Sequence, residues 1–172
     1  MNSILRFGCI YGLALVTSFY VSHLVLGTNP DNFTKGEIVG YSMMIISSFA
    51  VIMGIKDFKQ KRAPSPLGLV GALGVGLGIS LIASHIFALY NWFYLEFINP
   101  TFTATYVQYS EQKIRSSNLE PMVMEQQLKE LAHYADLMSN NFTQSMVMFA
   151  TVFSIGFLFS LISALLLRTP RT

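Results

Sequence analysis

The chain has 172 residues, 52% of them hydrophobic and only 12% charged, about half the charge of an average soluble domain. Its formal net charge of +2 is too small to argue for nucleic acid, and no patch of interleaved basic and aromatic residues supports such a partner. Cys9 is the only cysteine, which excludes an intramolecular disulfide and a thiolate metal cluster.

Residues 4–27, ILRFGCIYGLALVTSFYVSHLVLG, open with one basic residue and continue apolar. A secretory signal has an apolar run of about 7–15 residues before a small-residue cleavage site. This run is longer and no such site follows, so an uncleaved first membrane span is expected. Thr28-Asn29-Pro30-Asp31-Asn32 collects turn formers and predicts a reversal. The second span is expected over 36–55, with Glu37 in its first turn, where a carboxylate suits the positive end of the helix dipole. Lys56, Lys59, Lys61 and Arg62 follow at once, and Pro64-Ser65-Pro66 closes the connection.

The third span, 67–95, holds 29 residues without a Lys, Arg, Asp or Glu. As a helix it reaches ~43 Å, more than the ~30 Å hydrocarbon core of a bilayer. At about 100° per residue, Gly71, Gly74 and Gly78 fall within an arc of roughly 60°, and His85 enters the same arc two turns later. Gly74 and Gly78 form a GxxxG pair, which lets a neighbouring helix approach closely where lipid offers no hydrophobic drive. The three glycines are therefore the expected helix-packing face, and Gly76, about 140° from Gly71, is expected outside it.

Asn99-Pro100 ends the third span. Residues 101–142 are polar yet periodic. Phe102, Tyr106 and Tyr109 mark one stripe; after Pro121, Met124, Leu128, Leu131, Ala135 and Met138 mark another. Two amphipathic helices are expected, either capping the spans or lying on the membrane surface. The fourth span covers 143–167. The fold class is thus all-α: an integral membrane four-helix bundle in a single domain, 1–172, with a two-helix insert between spans three and four.

Basic residues set the orientation. Arg6, Lys56, Lys59, Lys61, Arg62, Arg168 and Arg171 lie on one side, and Lys35, Lys113, Arg115 and Lys129 on the other, with eight of the nine acids. The expectation is both termini in the cytoplasm, the insert outside, and multi-pass residence in the inner (plasma) membrane. Asn32-Phe33-Thr34 and Asn141-Phe142-Thr143 match the glycosylation sequon on that outer face, each close against a span.

Little chemistry is written in the chain. Ser22-His23 recurs as Ser84-His85, an echo that fits either chance or two related hairpins. His23 and His85 sit at similar depth, ~27–29 Å from the inner boundary, so the two imidazoles and Glu37 make a candidate polar site near the outer interface. A metal would want further ligands. No carboxylate or lysine falls mid-span, where ion-coupled transporters carry one, and no Ser-His-Asp set, P-loop or HExxH motif is present.

The order of spans resembles a bacterial membrane-protein family, common in Bacteroidetes and catalogued as domain of unknown function 4199. The resemblance is carried by GEIVGYSMMIISSFAVIMGIKDFKQKR, the Gly-rich third span, the NWFYLEFINPTF exit, the polar insert and SIGFLFSLISALLLR. It implies an inner-membrane location and brings no activity with it. The function expected is that of a non-catalytic scaffold or accessory subunit of a membrane assembly, without a cofactor or metal. Its partners would be the bilayer and a membrane protein or a second copy of the chain. A small oligomeric transporter or channel is the alternative.

Overall fold

The computed structural model describes residues 2–167, and every regular element among them is helical. Helix α1, Ser3–Leu26, starts at Asn2, whose side chain accepts from the amide of Ile4 at 3.3 Å. It ends at Gly27, whose φ of 65° a side chain would oppose. A single 3-10 turn, Pro30–Asn32, makes the expected reversal, with Asn29 Oδ1 accepting from the amide of Asp31 at 3.0 Å.

Helix α2, Phe33–Arg62, outruns the expected 36–55 at both ends. Lysine and arginine are good helix formers and are favoured near the carbonyl end, so the basic run is the helix's own last turns. Helix α3, Leu69–Phe93, continues into one π-helical turn, Tyr94–Ile98, that stops before Asn99-Pro100. The insert forms α4, Phe102–Ser116, and α5, Pro121–Leu137, the latter opening on its proline. Helix α6 is Asn141–Leu167. Four helices are long and apolar enough to cross a membrane: Ser3–Leu26, Pro30–Arg62, Leu69–Ile98 and Asn141–Leu167. Arg168 and Arg171, which entered the reading of orientation, lie outside the described residues.

Helix α3 sits between the others, against α1, α2 and α6, while α2 also touches α1 and α6. Tyr11, Leu15, Val51, Ile55, Ile79, Phe87 and Val152 are buried together at the centre. Glycine and isoleucine fix the α1–α3 register. A Cβ on Gly78 would meet Ile4 Cγ2 at 2.9 Å, one on Gly8 would meet Ile82 Cβ at 2.7 Å, and one on Gly12 would meet Ile86 Cβ at 2.8 Å. Each pair is one turn beyond the last, so the two helices run parallel with isoleucine knobs seated over glycine holes.

Helices α3 and α6 instead run antiparallel over a seam of small residues. A Cβ on Gly76 would lie 2.6 Å from Ser160 Cβ, and Gly156 faces Ser80 just as closely, its Cβ coming 2.6 Å from Ser80 Cβ. Three hydroxyls on these helices bond their own backbone: Ser80 donates to Gly76 O (2.9 Å), Ser84 to Ser80 O (2.7 Å) and Ser160 to Gly156 O (2.6 Å). Further along the pair, Asn91 Nδ2 donates to Ser145 Oγ at 3.2 Å.

The glycine face drawn from the sequence needs correction. Gly71 and Gly74 are exposed. A Cβ on Gly74 would meet nothing within 4 Å, and one on Gly71 only Leu67 Cδ1 at 3.0 Å. Of the three, Gly78 alone receives another helix, and Gly76, expected outside the face, makes the tighter contact. The reason is that the arc was drawn from glycines alone. Ala72, Ser80, Ala83, Ser84 and Ala88 are also small, and they are the buried side of α3.

Candidate functional site at the aromatic end

Beyond the seam, the end where α1 meets α2 carries a cluster of aromatic and polar side chains. The π turn turns Tyr94 toward α1, where its ring meets His23 edge-on, centroids 5.3 Å apart. Tyr94 Oη lies 3.0 Å from His23 Nδ1, and Asn99 Nδ2 donates to the same hydroxyl at 3.2 Å. The Tyr94 hydroxyl accepts from the Asn99 amide and also pairs with the His23 imidazole, so one phenol oxygen joins the two side chains. Thr101 Oγ1 donates to Asn99 Oδ1 at 3.3 Å and completes the chain.

One turn away, Tyr106 of α4 donates to Glu37 Oε1 of α2 at 2.7 Å. Burial, reinforced by the Glu37 carboxylate, pushes the Tyr106 phenol up to about 12. Tyr134 of α5 stands 6.0 Å from the Tyr106 ring, and burial followed by the same carboxylate raises its phenol as well. Phe33 lies in the middle, edge-on to Phe102, Tyr106 and Tyr109 at 5.8, 5.6 and 5.4 Å. Thr103 Oγ1 donates to Gln144 Oε1 at 2.9 Å, and Asn141 Nδ2 to Glu96 Oε2 at 2.9 Å, so α6 is tied into the same end.

Two of the three residues of the expected polar site are here, each with its own phenol. The third is not. His85 donates from Nδ1 to Leu81 O of its own helix at 2.8 Å, and its ring packs edge-on to Phe149 at 4.9 Å, on the exposed flank between α3 and α6. His23, His85 and Glu37 thus have three separate partners. No group of three or more His, Cys, Asp or Glu placed to hold a metal occurs among the described residues.

Sequence reasoning missed Tyr94, Asn99 and Tyr134 as members. The π turn that aims Tyr94 has no signature in NWFYLEFINP. The stripe of Phe102, Tyr106 and Tyr109 was legible, and it is the face α4 lays on Phe33. On α5, Met124, Leu128, Leu131 and Ala135 are half-buried, and Met138 just past its end is buried, the stripe read from their spacing. The amides of both sequon asparagines are engaged, Asn32 Nδ2 on Leu26 O at 2.8 Å and Asn141 Nδ2 on Glu96. Chemically, the cluster is a set of neutral donors held on fixed acceptors, an arrangement that locks helices together.

Searches of curated proteins and of solved structures return no match. A family model described as "Protein of unknown function (DUF4199)" matches residues 6–169. The match covers nearly the whole chain, and the chain belongs to that family.

Proposed function

We propose that the chain is a non-catalytic integral membrane protein, a scaffold or accessory subunit of a membrane assembly, built as a four-span bundle capped by the amphipathic α4 and α5. The observation that carries this reading is the filled seam between α3 and α6. Gly76 against Ser160 and Gly156 against Ser80 bring the two helices nearly to backbone contact, and the serine hydroxyls turn back onto their own helices. A transport path wants polar groups that exchange partners during a cycle. A support wants parts that hold still, and the Tyr94–His23 and Tyr106–Glu37 bonds serve that purpose at the aromatic end.

Charge supports an orientation in the inner (plasma) membrane of a bacterium. Arg6, Lys56, Lys59, Lys61 and Arg62 gather at one end, and the acids, Asp57 excepted, belong to the other, which favours cytoplasmic termini and an outer cap. The alternative, an oligomeric transporter or channel, draws on the exposed stripe of α3 that carries Gly71, Gly74, Leu81 and His85.

Two measurements test the reading. In a Cys9→Ser background, a membrane-impermeant maleimide should label Ser117→Cys in intact cells and leave Gln60→Cys unlabelled; the reverse pattern overturns the orientation. A photo-crosslinker at Met122, 81% exposed on α5, should give one discrete adduct with another membrane protein. Self-adducts from Leu81 together with solute flux across proteoliposomes would replace the scaffold by the channel.

A further inference from the structure

The α1–α2 turn and one face of α4 enclose a groove of about 510 Å³. Asn29, Pro30 and Asp31 form one wall. The other is a single helical stripe in which Thr105, Gln108, Gln112 and Lys113 follow at steps of three, four and one. The volume falls in the range of small-molecule sites, about 300–1,000 Å³; beside Pro30 and the Tyr109 ring, the lining supplies amides, hydroxyls and two opposite charges. Those charges do not satisfy each other. The ion pairs among the described residues are Lys61–Asp57 and Arg115–Glu111, so Asp31 and Lys113 share a groove without bridging it. Lys113 Nζ instead rests 5.8 Å over the Tyr109 ring.

We propose that this groove binds a phosphoethanolamine group, the ammonium on Asp31 and the phosphate on Lys113 with the side-chain amides of Gln108 and Gln112. A lone anion would have to tolerate Asp31, and a lone cation would have to tolerate Lys113; a ligand with both charges completes both walls. The amides and the ammonium together offer donors enough for a phosphate's several oxygens. A primary ammonium is selected over a quaternary one, because the wall offers a carboxylate to accept its hydrogen bonds, while the nearby Tyr109 face is already covered by Lys113. On the membrane reading above, the groove opens at headgroup level, where a lipid would present this group. A soluble phosphoethanolamine ester carries the same chemistry.

The test uses the full chain in phosphatidylcholine nanodiscs titrated with glycerophosphoethanolamine, followed by saturation-transfer NMR. Saturable binding is expected, with glycerophosphocholine, inorganic phosphate and ethanolamine each at least about tenfold weaker. Asp31→Asn and Lys113→Gln should each weaken binding about tenfold without moving the melting temperature, since both side chains are exposed. The exchange Asp31→Lys with Lys113→Asp should recover part of the lost affinity, because a zwitterion can turn round although its phosphate then leaves Gln108 and Gln112. Native mass spectrometry of protein from cells then names the source. Retained phosphatidylethanolamine that Asp31→Asn loses indicates the lipid, and probe binding without retained lipid indicates the soluble ester. No saturable binding to folded protein, or unchanged affinity in both single variants, overturns the site. A reversed topology would leave probe binding intact, so the two readings fail separately.

Discussion

Gly76 of α3 and Ser160 of α6 lie so close that a single methyl group at Gly76 would come 2.5 Å from Ser160 Oγ and 3.1 Å from Ile55 Cδ1. Three helices therefore converge on one missing side chain. Gly76→Leu should force α3 off both neighbours, at a cost of about 1–3 kcal/mol or more. Gly74→Leu meets open space within the chain and should change stability by less than about 0.5 kcal/mol. Thermal unfolding in one detergent compares them directly. If Gly74→Leu proves as damaging as Gly76→Leu, the face that packs is not the one described.

That contrast shows where the sequence was legible and where it was not. Four apolar runs of twenty or more residues stand out in the sequence, and the structure has four helices long and apolar enough to cross a membrane. Which side of a span faces inward is a harder question, because lipid is as apolar as the core and hydropathy does not separate them. Buried serines do. Ser48, Ser80, Ser84 and Ser160 are each fully buried, and a search for every small residue, with glycine as one of several, would have found the seam. At the aromatic end, His23 and Glu37 stood out as polar residues beside apolar runs. Their partners lie 71 and 69 residues away in sequence, a distance no local pattern spans.

The histidines give a prediction about coupling. His23 and Tyr94 share a hydrogen bond, so His23→Asn and Tyr94→Phe should be non-additive, with a coupling on the order of 0.5–1.5 kcal/mol. His85 bonds its own helix and leans on Phe149, so His23→Asn and His85→Asn should add within about 0.5 kcal/mol. Double-mutant cycles on unfolding free energy read both. A strong coupling between the two histidines would mean that they share a site after all.

At the basic end, Lys59 Nζ donates to Leu167 O at 2.8 Å, placing a cation on the carbonyl terminus of α6. Lys59→Met keeps the aliphatic stem and removes the charge. It should cost about 0.3–1 kcal/mol and speed amide exchange over the last turn of α6, while Lys59→Arg should retain most of the protection. Equal exchange in the methionine variant would show the contact to be idle.

The Tyr106–Glu37 bond has a pH signature of fixed sign. A phenol donating to a carboxylate in a half-buried setting resists ionisation, and Tyr106 stands at about 12 where an unfolded tyrosine ionises near 10. Because the folded value is raised, the contact's contribution is fully present below about pH 10 and is lost as pH climbs through about 12. The charge of Glu37 is one of the causes, so Glu37→Gln should move the Tyr106 titration down toward the ordinary tyrosine value. Absorbance at about 295 nm, as a difference between parent and Tyr106→Phe, isolates the one ring from the chain's other tyrosines. A single late step is expected in the parent and an earlier one with Glu37→Gln. If the difference titration is the same with and without the carboxylate, α4 is not held to α2 through this bond and rests on the Phe33 aromatic contacts alone.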